Sequence, residues 1–180
     1  MRPTIQFVPT PTAVAREALQ LASVRPGDVV FDLGCGNGNV LRVAKEMGAA
    51  VFGVEHNPDL VDGDLCPHEW RAGNLYDADL SRATVVYLYL SPEMNAALMP
   101  KLHTLKPGTR VVTRIFELPG LEPDVFAYSV AQPSSRLLLY KVPFKKEKVK
   151  TIKLTVGMAT HDDALGVDLT VESLLMYHGD

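Results

Sequence analysis

Short apolar runs alternate with longer runs whose apolar residues recur at helical spacing, and this alternation continues to about Phe116. Thr10-Pro11 opens the first helical run, with Thr10 as the N-cap and Pro11 in the first turn. Val14, Ala18, Leu21 and Ala22 keep helical spacing until Arg25-Pro26-Gly27 ends it. Val29–Leu33 reads as a strand, and a helix from about Asn39 to Met47 leads into a second strand, Ala50–Val54. Glu69–Ala72 makes a poor third strand and Thr84–Tyr89 a good fourth. Met94, Leu98, Leu102 and Leu105 mark the next helix, closed by Lys106-Pro107-Gly108, and Arg110–Phe116 is the fifth strand. Strand alternating with helix predicts an α/β fold, a parallel sheet with helices on both faces.

Beyond Phe116 the rhythm changes. Asp124–Val130 and Arg136–Val142 read as strands joined at Gln132-Pro133-Ser134-Ser135, a hairpin that would edge the sheet antiparallel and complete a Rossmann-like set of seven strands. Lys150–Ala159 and Val167–Met176 are two more strand-like runs around the polar turn His161-Asp162-Asp163. Residues 145–180 are therefore expected to form a β-hairpin extension of the domain made by residues 1–144. The extension suits packing or self-association, which makes it the candidate surface for a homo-oligomer.

With 180 residues and a net charge of −3, the chain is one domain of ordinary size. No apolar run approaches the roughly 20 residues of a membrane span, and Met1–Gln6 lacks the apolar core of a signal peptide. Cytoplasmic residence is the expectation. Cys35 and Cys66 are too few and too distant for a disulfide framework or a zinc knuckle. Mild acidity also argues against strong nonspecific nucleic-acid binding, which needs a basic face.

The chemistry concentrates where the first strand ends, at Asp32-Leu33-Gly34-Cys35-Gly36-Asn37-Gly38. Glycines at every second position let a ligand lie against bare backbone. The second strand ends in another carboxylate, Glu55. A glycine loop between two acidic strand ends suits a nucleoside-bearing ligand. A dinucleotide fingerprint would read Gly-x-Gly-x-x-Gly and aim helix N–H groups at a pyrophosphate. Here the spacing is Gly34-x-Gly36-x-Gly38, and Asp32 would repel a diphosphate while attracting an ammonium group. The ligand is expected to carry an amino acid.

This pattern resembles motif I of the class I methyltransferases that use S-adenosylmethionine. The resemblance implies that Asp32 serves the methionine end, that the loop of Gly34, Cys35, Gly36 and Gly38 passes under it, and that Glu55 holds the ribose. It also implies a place for Asn74, in Gly73-Asn74-Leu75, near the adenine amine; Asn74 could equally shape a turn. Phe7-Val8-Pro9-Thr10-Pro11, Gly53-Val54-Glu55-His56-Asn57-Pro58, Val86-Tyr87-Leu88-Tyr89-Leu90 and Gly108-Thr109-Arg110-Val111-Val112-Thr113-Arg114 narrow the likeness. In order and wording they resemble the small seven-strand protein-lysine methyltransferases, the archaeal enzymes and the mitochondrial enzyme acting on the ATP-synthase c-subunit. The likeness covers residues 5 to about 144. It implies that Pro9 and Thr10 fold over the cofactor, although capping the first helix is equally compatible. Between Asn57 and Gly73 the family fits a charged helix, whereas this chain has a short segment broken by Gly63 and Pro67. The adenine side is expected to be more open.

Tyr89-Leu90-Ser91-Pro92 closes the fourth strand, where this enzyme class faces the transferring methyl. The Asp/Asn-Pro-Pro-Tyr/Phe signature of adenine and glutamine amide methylation is absent, as is the cysteine pairing of cytosine carbon-5 methylation. What remains is a tyrosine-lined lip. A lysine amine must lose its proton before attacking, against an unperturbed pKa near 10.4; an apolar aromatic channel disfavours the charged form and accepts a methylene stem. Tyr87 and Tyr89 are read on alternate faces, so that only one lines the site, and Tyr89 is the catalytic candidate.

The remaining motifs read as ordinary. Lys145-Lys146-Glu147-Lys148-Val149-Lys150 reads as a solvated face and His161-Asp162-Asp163 with Asp168 as a polar turn; no metal site is expected. The expected activity is methyl transfer from S-adenosylmethionine, with S-adenosylhomocysteine as product, to a protein substrate with an accessible lysine. The rivals are a small-molecule or RNA methyltransferase and a silent cofactor-binding protein working through its tail.

Overall fold

A computed structural model describes residues 7–61 and 69–146 and the short strands 154–155 and 170–171. The chain divides into two compact units, Met1–Glu147 and Lys148–Asp180.

In the first unit, α1 (Thr12–Leu21) leads to β1 (Val29–Leu33), α2 (Asn39–Glu46) and β2 (Ala50–Glu55). A 3-10 turn at Pro58–Leu60 precedes β3 (Trp70–Ala72), and another at Leu75–Asp77 precedes β4 (Val85–Leu88), α3 (Pro92–Leu102) and β5 (Arg110–Arg114). β6 (Leu121–Glu122), β7 (Val125–Tyr128), β8 (Arg136–Lys141) and β9 (Lys145–Lys146) follow. The seven-stranded sheet runs β3-β2-β1-β4-β5-β8-β7. Strands β1 to β5 pair in parallel, and the β7–β8 hairpin closes one edge antiparallel. In the second unit β10 (Leu154–Thr155) pairs antiparallel with β11 (Thr170–Val171). The expected α/β architecture with its antiparallel edge is what forms.

Strand alternation divides the core into two layers. Val30, Val85, Tyr87 and Val112 pack with Val14 and Leu19 of α1 and Leu41 of α2. On the opposite face Phe31, Leu33, Val86, Leu88 and Val111 pack with Leu98 and Leu102 of α3. Helices thus cover both faces, as buried parallel strands require. Gly53 in β2 permits the α2 contact: a Cβ there would meet Leu41 Cδ1 at 2.6 Å and Cys35 Sγ at 2.7 Å.

Some expectations need correction. The N-cap of α1 is Pro11, with no side-chain cap, because Thr10 hydrogen-bonds to Tyr87 instead. The helix ends sooner than its apolar spacing implied, since Ser23 takes a positive φ of 54° and Val24 N–H turns back to Leu19 O. The two-residue pairing of β6 with β9 went unforeseen, having too few residues to show any period. Lys145, read as part of a solvated face, is exposed, and it also forms an ion pair with Asp124 at 2.8 Å. Gly63, Pro67 and the tail motif His161-Asp162-Asp163 with Asp168 lie outside the described residues.

Candidate active site

At the carboxyl ends of β1, β2 and β4 lies a cavity of about 910 Å³. This is where open parallel sheets place ligands. Its wall includes Thr10, Asp32, Gly34, Cys35, Glu55, Asn74 and Tyr89, all of them residues of the expected site. Gly36 and Gly38 belong to the same loop but not to the wall. The Phe7 ring lies on Gly36, where a Cβ would come within 2.2 Å of it. Gly34, Gly36 and Gly38 all hold positive φ (82°, 51° and 78°), a run of conformations that side chains with a Cβ resist.

Asp32 ends up 3% exposed on the face shared with Val30. Among the described residues no hydrogen bond reaches its carboxylate. Burial, aided by the nearby charge of Glu55, pushes its pKa up to about 8. A buried acid with no donor and a second acid beside it is a strong acceptor for an ammonium group. Glu55 is used differently from the simple expectation: Oε2 accepts from Gly36 N–H at 2.8 Å and Oε1 from Asn57 N–H at 2.9 Å. It therefore ties the glycine loop to the end of β2, and each oxygen keeps a lone pair for a further donor. Asn74 caps its own turn, Oδ1 accepting from Tyr76 N–H at 3.1 Å. The Cys35 thiol is buried in the loop, and burial first, then the charges of Asp32 and Glu55, raise its pKa. It is no nucleophile.

Both tyrosines of β4 and its end line the cavity, which corrects the expectation that only one could. Residues two apart on a strand share a face, and Tyr89 packs against the same layer as Tyr87. Tyr87 is buried, its hydroxyl 3.1 Å from Thr10 Oγ1, and burial raises its phenol pKa above the ordinary value. Tyr89 is stacked by the Arg114 guanidinium, 4.2 Å from the ring centre. Met94 and Phe116 add apolar surface to the cavity wall. Neither was singled out from sequence. Phe116 was legible only as the end of a strand, and Met94 only as a helix position.

These features fit S-adenosylmethionine: an unpartnered carboxylate for its amine, a glycine loop that lends Gly34 to the wall, a second acid with free lone pairs, and apolar side chains in the wall besides Tyr89. Among the described residues there is no group of three His, Cys, Asp or Glu side chains able to hold a metal ion. No helix among them is long and apolar enough to cross a membrane.

Residues 32–125 match the family described as ANTKMT methyltransferase domain. A protein-lysine N-methyltransferase of Saccharolobus islandicus (strain REY15A) is 39% identical over 133 residues, 67% of this chain and 83% of the relative. The Xenopus laevis lysine N-methyltransferase of the ATP-synthase c-subunit is 30% identical over 131 residues, which is 67% of this chain and 57% of that protein. A crystal structure described as an RNA methyltransferase from Salinibacter ruber, in complex with S-adenosyl-L-homocysteine, superposes with a TM-score of 0.67. It is 36% identical and covers 79% of this chain and 97% of its own.

Proposed function

Because the chain belongs to the ANTKMT methyltransferase domain family and is an S-adenosylmethionine-dependent methyltransferase, we propose that it methylates lysine ε-amines of a protein substrate. The observation that carries this reading is that Tyr89, Met94 and Phe116 line, with aromatic and apolar surface, the same cavity that Asp32 and Glu55 line. The likeness to two lysine methyltransferases supports it.

In this reading Asp32 holds the cofactor's ammonium, the Gly34–Gly38 loop passes beneath its amino-acid end and Glu55 receives the ribose hydroxyls. Asn74 offers its remaining lone pair near the adenine amine. When bound, the cofactor supplies a methyl group on a sulfonium; a nitrogen–carbon bond forms as the carbon–sulfur bond breaks, with that electron pair left on sulfur. Tyr89 borders the path of the incoming amine. This apolar surface excludes water, favours the amine without its proton and packs its methylene stem. Among Tyr89, Met94 and Phe116 none is a general base, so the proton leaves before attack, to solvent, and catalysis is mainly alignment.

The test is transfer of radiolabelled methyl from S-adenosylmethionine into extract of the source cell, with Asp32→Ala as control. Label seen only with the wild type and removed by protease is the expected result. Nuclease-sensitive label would replace protein by RNA as substrate, the reading suggested by the Salinibacter relative's description. Cofactor binding without any transfer would mark a silent binding protein.

A further inference from the structure

Arg114 stands last in β5, next to Tyr89 across the sheet, and is only 2% exposed. Among the described residues its hydrogen-bond partners are all uncharged. Nε donates to Ser135 Oγ at 3.1 Å, Nη2 to Gln132 Oε1 at 2.9 Å, and Nη1 reaches Thr10 Oγ1 at 3.4 Å. No ion pair among these residues includes it. A buried cation without a counter-charge carries a large desolvation cost, which only unusually good contacts offset. Besides these hydrogen bonds, its guanidinium lies over the face of Tyr89.

The backbone just after Arg114 is strained in a way that fixes this geometry. Ile115, a β-branched residue, has a φ of +69°, a genuine outlier for its type. Phe116 N–H donates to Arg114 O at 2.8 Å across it, the hydrogen bond of the rare positive-φ γ-turn. Arg136 holds both sides of the turn: its carbonyl accepts from Ile115 N–H at 2.8 Å and its guanidinium donates to Ile115 O at 2.7 Å. Such strain persists only where surroundings over-determine it. Here it ends β5 directly after Arg114 and sends Phe116 to the cavity wall.

We propose that Arg114 is a positioning residue for methyl transfer: stacked on Tyr89 and held by Thr10, Gln132 and Ser135, it fixes the ring that aligns the acceptor amine. This rests on the lysine reading above. The guanidinium covers one face of the ring and opposes the ring's attraction for a second cation, so Tyr89 presents a rigid wall that favours an uncharged amine. Thr10 also touches Tyr87, so the same contact joins the segment before α1 to β4 and β5.

The experiment is a double-mutant cycle of Arg114→Met, Tyr89→Leu and the pair, reading protease-sensitive methyl label in source-cell extract at saturating S-adenosylmethionine. Calorimetry with the cofactor and thermal melting accompany it. Each single variant is expected to lose at least about tenfold in rate with cofactor affinity within about twofold of wild type, and the pair to lose no more than one single. Arg114→Lys should not restore the rate, because an ammonium cannot lie flat on the ring; it replaces Arg114→Met in the cycle if the latter fails to fold. Additive losses, an unchanged rate in Arg114→Met, or a fall in cofactor affinity matching the fall in rate would each overturn the proposal. The lysine reading fails separately, if wild-type label resists protease or never forms, which also removes the basis for an acceptor amine at Tyr89.

Discussion

The two ends of the sheet carry the same residue types and use them in opposite ways. Asp28 and Asp32 are four residues apart entering and on β1, and Arg110 and Arg114 are four apart on β5. At the amino end Asp28 and Arg110 form an ion pair. Thr84 Oγ1 donates to Asp28 Oδ1 at 2.7 Å, Arg25 N–H to its Oδ2 at 3.0 Å, and Arg110 Nη1 to Ser23 O at 3.1 Å. Burial would raise the Asp28 pKa, but the hydrogen bonds and the Arg110 charge outweigh it and hold it below the usual value. At the carboxyl end neither Asp32 nor Arg114 has an opposite charge among the described residues. One acid is kept for a ligand's ammonium and one cation for an aromatic ring. Ionisable groups that meet an opposite charge stabilise the fold; those left without one mark the site.

The largest effect that would break this contrast is at Asp28. Asp28→Ala leaves the partly buried Arg110 without its counter-charge, held only by the Ala22 and Ser23 carbonyls, and the loss approaches the lower end of the roughly 3–5 kcal/mol that breaking a fully buried pair costs. Urea unfolding should show that loss, while cofactor affinity at 25 °C stays near wild type. If Asp28→Ala instead weakened binding and spared stability, the division between the two ends would be wrong.

Asp32→Ala and Glu55→Ala should give the reverse pattern. If each side chain makes a charged hydrogen bond to the cofactor, affinity falls by about 1.5–3 kcal/mol, roughly tenfold to a hundredfold. Glu55→Ala should in addition loosen the glycine loop, since it frees Gly36 and Asn57 N–H, and so lose some stability that Asp32→Ala does not. Unchanged binding in both, by calorimetry, would remove the assignment of these acids.

How much of this contrast could be read from the chain depends on distance along it. The acids at the ends of β1 and β2 and the glycines between them form a local pattern, and the parallel sheet follows from alternation over neighbouring segments. Arg114 was visible only inside a fifth strand read on to Phe116 and as the last residue of a segment that carries the family likeness, because its partners Thr10, Gln132, Ser135 and Tyr89 come from elements far apart in sequence. Thr10 looked like a helix cap for the same reason: its true partners, Tyr87 and Arg114, are 77 and 104 residues away. Tyr87 was misplaced by a different error, one of strand periodicity, and the pattern itself held the correct answer.

The pH response sharpens the comparison with smaller effects, since the two aspartates should slope in opposite directions. Asp28 has a folded pKa below the ordinary value of 3.8. Its contribution to stability is present above pH 3.8 and disappears as pH falls through the lowered value. Asp32 has a folded pKa of about 8 against 3.8. Its protonated form is the one the ligand-free fold tolerates, so the stability associated with it is full below pH 3.8 and declines as pH rises towards 8. Urea unfolding of the ligand-free protein between about pH 6 and pH 9 should therefore show a falling component that Asp32→Asn removes. Binding has the opposite sign, because a cofactor ammonium needs the ionised carboxylate. Affinity should rise towards pH 8 by at most about 1.4 kcal/mol per pH unit, with a proton released that calorimetry in two buffers can count. Above that pH the rise should stop. An affinity flat from about pH 6 to pH 8 would mean that Asp32 is already ionised in the free protein, and its isolation from Arg114 would then have to be offset by some other group.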